Sequence, residues 1–131
     1  MTWRDWQIAL LALVIWREAR GEPHDGKRAV AHVIRNRVLH TEDQNRWEQI
    51  ICARLQFSSM TAPGDGMLIQ WPSEPDAAFD DCMFVALSVY AGTDDDPTGG
   101  ALHYCNLAVA QPKWAEELKP LVKIGKHTFF V

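Results

Sequence analysis

Two glutamates, Glu18 and Glu22, stand where an apolar run ends in a burst of charge: Ile8 to Trp16, then Arg17, Glu18, Arg20 and Glu22. A carboxyl at the edge of an apolar helix is costly unless it is paired, protonated or used. Held protonated by apolar neighbours, Glu18 can deliver a proton to a leaving group and take one back. The same residues also fit a plainer arrangement, in which Arg17 and Arg20 pair with the two carboxylates at a solvated helix end. On spacing alone that plainer arrangement is the simpler one.

The elements that must position these groups follow from the hydrophobic pattern. Thr2 with Asp5 three residues on makes a capping-box start, and Gly21 supplies the stop. Between them Ile8, Leu10, Leu11, Leu13, Val14, Ile15 and Trp16 are apolar nearly all round, which predicts a helix enclosed by others. Asp25-Gly26 opens a second helix carrying Ala29, Val30, Val33, Ile34 and Val38 at helical spacing, with Asn36 as a structural amide. Trp47, Ile50, Ile51 and Leu55 fit a short third helix, and residues 56–72, with two prolines and two glycines, read as a loop or irregular hairpin. Ser73 starts a further helix with a buried stripe of Phe79, Met83, Ala86, Leu87 and Tyr90, ended by Gly92. Thr93 to Gly100 reads as a solvated acidic loop, since its aspartates lack the spacing of a calcium-binding hand. Ala101–Asn106 and Val122–Val131 look extended, with a short helix around Trp114–Leu118.

The chain has 131 residues, which is the size of one domain, 1–131, able to bury a real core. A net charge of −4, with no basic cluster interleaved with aromatics, argues against nucleic acid. Arg28, Arg35, Arg37 and His40 form either a local basic face or the solvated side of a helix. Cys52, Cys82 and Cys105 have no metal-binding spacing and suit buried or half-buried thiols. The first apolar run is too short to cross a bilayer and lacks a cleavage site, so it reads as mature structure made in the cytoplasm without a signal peptide.

The wording of the motifs adds to this. Glu18-Ala19-Arg20-Gly21-Glu22-Pro23, the run Gly26 to Val38, Gln56-Phe57-Ser58, Asp96 to Ala101, Tyr104-Cys105-Asn106, Pro112-Lys113-Trp114 and Ile124 to Phe130 stand in this order. Together, from about Leu10 to Phe130, they resemble the SleB-type cell wall hydrolase family, peptidoglycan-degrading domains of spore-cortex-lytic enzymes and phage lysis proteins. The resemblance implies an α+β, mostly α, compact lysozyme-like domain with a small β element. It implies that Glu18 is the catalytic acid/base facing a sugar cleft, with Gln56, Phe57, Ser58, Tyr104 and Asn106 contacting substrate and Arg20 and Glu22 supporting the acid. It implies peptidoglycan glycan strands as substrate, no metal or other cofactor, no stable membrane insertion and a monomer. The absence of an export signal is similar to a phage endolysin released through a separate pore protein.

Cleavage between N-acetylmuramic acid and N-acetylglucosamine needs a proton for the leaving oxygen and stabilisation of an oxocarbenium-like centre. A second carboxylate is found only by elimination, as Asp65, Asp76 or Asp96, so a lytic transglycosylase working with one glutamate is favoured over a hydrolase. Trp71 and Trp114 are candidates for stacking on sugars, while His103 and His127 read as structural. The rivals are an N-acetylmuramoyl-L-alanine amidase, for which His24, His32, His40, His103 and His127 lack a standard zinc spacing, and a non-catalytic wall-binding module.

Overall fold

A computed structural model describes residues 1–53 and 56–131. Helix α1, Trp3–Ala19, is the axis of the fold, and Thr2 and Asp5 form the expected reciprocal cap at its start. Leu11, Ala12, Val14 and Ile15 are wholly buried. α2, His24–Leu39, and α5, Ala77–Ala91, pack along α1 and against each other. The short α3, Trp47–Ile51, closes one end of this trio. Residue 55, expected to extend α3, lies outside the described residues.

The segment 56–72 is not a hairpin. It holds a one-turn helix α4, Ser58–Thr61, and a 3₁₀ turn, Gly66–Ile69. Asp65 stops any extended pairing by capping that turn, its Oδ1 accepting from Met67 N at 2.8 Å. α5 begins three residues after the expected Ser73 start, because Asp76 supplies the cap by accepting from Phe79 N at 2.9 Å. Its buried face is Cys82, Val85, Ala86 and Val89; Leu87, expected inside, points to solvent.

The last third forms a three-stranded antiparallel sheet: β1, His103–Cys105, and β2, Pro120–Ile124, flank β3, His127–Phe130. α6, Lys113–Glu117, lies in the connection from β1 to β2. Phe129, fully buried, joins the sheet to the helical core. The β2–β3 turn needs Gly125 twice over. Its φ is +60°, and a Cβ there would stand 2.7 Å from Glu22 Oε2.

The acidic loop after α5 is structural rather than merely solvated. Asp94 pairs with buried His32 at 2.7 Å and Arg28 at 3.1 Å. Asp96 accepts from Asn36 Nδ2 at 2.9 Å, from Thr98 N and Oγ1 at 2.8 and 2.7 Å, and from Gly100 N at 3.0 Å. These bonds hold its carboxyl below the usual aspartate range, against the opposing effect of its burial, which is the largest influence. Asn36 is the expected structural amide, its Nδ2 also donating to Ala101 O at 3.0 Å. The loop therefore delivers the chain from α5 into β1 at a set position on α2. Among the cysteines, Cys82 is buried and its thiol pushed up to about 12 by desolvation, Cys105 is half-buried, and Cys52 is exposed rather than shielded.

Asp96→Ala is expected to leave Asn36 and three loop donors without their acceptor. The expected loss of stability is about 2–4 kcal/mol in a urea melt. A midpoint equal to that of the unsubstituted protein would show that the loop is held by something else.

Candidate active site

Glu18 occupies the last turn of α1, where the helix leaves the core and meets α4. Its carboxyl is half-buried and opens into a cleft of about 990 Å³. Desolvation is the main force on it, pushing its pKa up from the usual 4.5. The Ser59 hydroxyl beside it opposes that shift, and the negative charge of Asp65 adds to it. Ser59 Oγ is buried and meets no partner at hydrogen-bonding geometry, so it offsets burial only weakly. Desolvation of this kind favours the protonated form of a carboxyl over the ionised one.

The arginines beside Glu18 are not its partners, which corrects the salt-bridged reading. Arg17 is buried: its Nη1 donates to Ser59 O at 3.1 Å, its Nη2 and Nε to Gln70 O at 3.0 and 3.2 Å, and its guanidinium lies 4.7 Å over the Trp71 ring. Arg20 is exposed and stacks on Trp16 at 4.4 Å. Glu22 does not pair with Arg20. It accepts from Lys126 N at 3.0 Å and lies 3.2 Å from His127 Nδ1, so it ties the β2–β3 turn to the corner between α1 and α2. His127 in turn packs edge-on to Tyr104, ring centroids 4.9 Å apart.

Tyr104, from β1, lines the cleft. Burial holds its hydroxyl well above the usual tyrosine range, the charge of Glu18 adds to this, and that of Arg37 opposes it. The phenol is thus a neutral donor within electrostatic reach of the acid. The expected Gln56, Phe57 and Ser58 also line the cleft. Ser58 donates to Asp65 Oδ2 at 2.6 Å, Gln56 accepts from Arg37, and Phe57 is a buried ring under the Arg37 guanidinium. Asn106 is different: its side chain accepts from Ala108 N at 3.0 Å and caps the turn after β1, and it is not among the lining residues.

Arg37 and His103 line the cleft without any site signal in the sequence. Arg37, expected on a local basic face or the solvated side of a helix, instead donates from Nε to Leu102 O at 2.7 Å, which turns the guanidinium into the cleft. His103 and Trp114, contributed by β1 and α6, pack against each other at 5.5 Å and both line the cleft. Of the two tryptophans offered for stacking on sugars, Trp114 lines this cleft, whereas Trp71 lies outside it, on Arg17.

The carboxylates weighed as partners are all engaged. Asp76 and Asp96 hold backbone as described above, and Asp65 has one oxygen on Ser58 and the other on Met67 N, which draws its pKa down. Among the described lining residues Glu18 is the one carboxylate. The five histidines are dispersed: His24 meets Asp81, His32 meets Asp94, His40 meets Asn36 O, and His103 and His127 lie in separate aromatic contacts.

A raised pKa means that the folded state holds the Glu18 proton more tightly than the unfolded chain does. That contribution is complete below the unfolded value and is lost as pH rises through the folded one. Glu18→Gln, which cannot ionise, is therefore expected to match the unsubstituted protein near pH 4. At pH 7 it should be more stable by about 1 kcal/mol, or about 4 °C in Tm. A thermal melt at the two pH values checks this, and equal Tm values at pH 7 would show that the carboxylate is not destabilised by its surroundings.

Comparison with known proteins places the chain. A family model described as cell wall hydrolase matches residues 21–130. The spore cortex-lytic enzyme of Bacillus cereus is 37% identical over 93% of this chain, and that of Bacillus subtilis (strain 168) 35% identical over 93%. The chain spans 43% and 36% of these two relatives, less than half of each. Two solved structures match almost end to end. The catalytic domain of the germination-specific lytic transglycosylase SleB from Bacillus anthracis has a TM-score of 0.76 at 32% identity, with 100% of this chain and 97% of that one covered. The catalytic domain of the Bacillus cereus SleB protein has a TM-score of 0.77 at 34% identity, with 97% and 91% covered. The mostly helical fold with its small sheet is thus that of SleB catalytic domains, and the chain belongs to the cell wall hydrolase family.

Proposed function

We propose that this chain cleaves the glycan strand of peptidoglycan between N-acetylmuramic acid and N-acetylglucosamine as a lytic transglycosylase, acting as a monomer. The observation that carries the reading is a desolvated glutamic acid, Glu18, opening into a large cleft with no second carboxylate among its described lining residues. The description of the Bacillus anthracis relative as a lytic transglycosylase supports the same reading.

Protonated Glu18 gives its proton to the glycosidic oxygen as the bond to the muramoyl C1 breaks. The resulting carboxylate then takes the proton of the C6 hydroxyl of the same muramoyl residue, and that oxygen closes on C1. The product is a 1,6-anhydro-muramoyl end, no water is consumed, and Glu18 returns to its acid form. The neutral Tyr104 hydroxyl is suited to orient the carboxyl or the acetamido group, since it donates without competing as an anion. Among the described residues no three metal-ligating side chains converge, and the histidines have partners elsewhere, so nothing specific favours the amidase.

The setting we propose is lysis from within, as a phage endolysin made in the cytoplasm and released through a separate pore protein. One feature supports it: the apolar run Ile8–Trp16 is the core of α1, not a segment the fold could lose.

Digestion of purified sacculi followed by mass spectrometry tests the chemistry. Wild type is expected to yield anhydro-muramoyl ends and Glu18→Gln to lose about 10³-fold or more in rate, the scale of losing an acid/base group. Reducing ends would instead mean hydrolysis, and freed stem peptides from an active Glu18→Gln would overturn the glutamate mechanism. Fractionation of cells tests the setting: export to the periplasm without a pore protein would overturn it.

A further inference from the structure

Arg37 is the one arginine or lysine that lines the cleft among the described residues. Its two hydrogen-bond partners are neutral, Leu102 O at 2.7 Å and Gln56 Oε1 at 3.2 Å, and its guanidinium lies 5.4 Å over the Phe57 ring. No carboxylate lies within ion-pair distance of it among the described residues, whereas Arg28 has two, Asp25 and Asp94, and Arg46 has Asp43. Nη2 makes no hydrogen bond within the described residues. Burial lowers its pKa, the sign of a desolvated charge, and Phe57 and Leu102 O hold the fork in place. A fixed guanidinium with unspent donors and no counter-charge is an anion receptor awaiting its anion.

Its surroundings say what kind of anion. His103, whose pKa burial and the Arg37 charge both lower, packs against Trp114 at 5.5 Å, and Trp114 is braced edge-on by Phe130 at 5.4 Å. An aromatic shelf beside a cation suits a sugar ring that bears an acidic arm. The charges of both Glu18 and Arg37 reach Tyr104, and all three side chains line the same cleft.

We propose that Arg37 and Trp114 form a subsite for an acidic sugar, Arg37 taking a carboxylate on the sugar's side arm and Trp114 its ring face. This rests on the cleft being a glycan site. In a wall strand the matching group is the lactyl carboxylate of a muramoyl residue whose stem peptide has been removed. A reaction that hydrolyses the lactyl amide therefore supplies the preferred substrate.

Calorimetric titration of the Glu18→Gln protein with two ligands tests this. One is the peptide-free tetrasaccharide of alternating N-acetylglucosamine and N-acetylmuramic acid. The other is chitotetraose, the same backbone without lactyl groups. The tetrasaccharide is expected to bind at least about tenfold tighter, a preference that weakens as salt rises. Adding Arg37→Gln should bring the two ligands within about twofold while chitotetraose binding stays unchanged. Arg37→Lys should keep part of the preference, since it retains the charge and loses the fork. The proposal is overturned if the tetrasaccharide has no advantage, if the advantage survives Arg37→Gln, or if both substitutions weaken both ligands equally, which is a structural role. Failure of the glycan-cleavage reading is distinct from all of these, because it appears as the absence of glycan products from wild type on sacculi.

Discussion

The carboxyl of Glu18 stays unpaired because the cation next to it is occupied elsewhere. Arg17 is drawn to two backbone carbonyls, Ser59 O and Gln70 O, and to the face of Trp71. Those bonds fold the segment after residue 56 back across the end of α1, and that segment supplies the wall which desolvates Glu18. One side chain thus removes the counter-ion and installs the cover. Had Arg17 turned toward Glu18 instead, an ion pair would favour the ionised carboxylate rather than the protonated form.

Around this arrangement the scaffold is held by charges that do pair. Asp94 and Asp96 lock the loop after α5 to His32, Arg28 and Asn36 on α2, which sets where β1 begins and so where Tyr104 and His103 stand. Glu22 performs the same service from the other side, grasping the β2–β3 turn at Lys126 and Gly125 and bringing His127 against Tyr104. The cleft is therefore assembled between two polar clamps, both anchored on the segment from Glu22 to Asn36. Satisfied carboxylates carry the architecture, and the unsatisfied one is left in the cleft.

The cleft also separates its two charges. Glu18, from α1, and Arg37, from α2, both line it and form no salt bridge with each other, and Tyr104 is under the influence of both. Direct contact would neutralise them. Unpaired, they leave in one cleft a carboxyl whose protonated form is favoured and a guanidinium with only neutral partners among the described residues.

The sequence by itself determined that the three long helices α1, α2 and α5 exist, because their signals are local: caps at Thr2 and Gly92, the enclosed run Ile8–Trp16, and the 3.6-residue stripe of α2. It also marked Glu18, since an acid ending so apolar a run has few bland explanations once the later motifs agree. Tertiary structure alone decided the partners. Arg17 and Arg20 are adjacent to Glu18 in the chain, so proximity suggested ion pairs, but helix geometry sends each to a different neighbour. Asp94 to Asp96 read as solvated because His32, Arg28 and Asn36 are about 60 residues away. Asn106 carried a motif but serves a turn, and Arg37 carried none that pointed to the cleft. Its place there depends on a backbone carbonyl at Leu102, a contact between distant segments that no local pattern encodes.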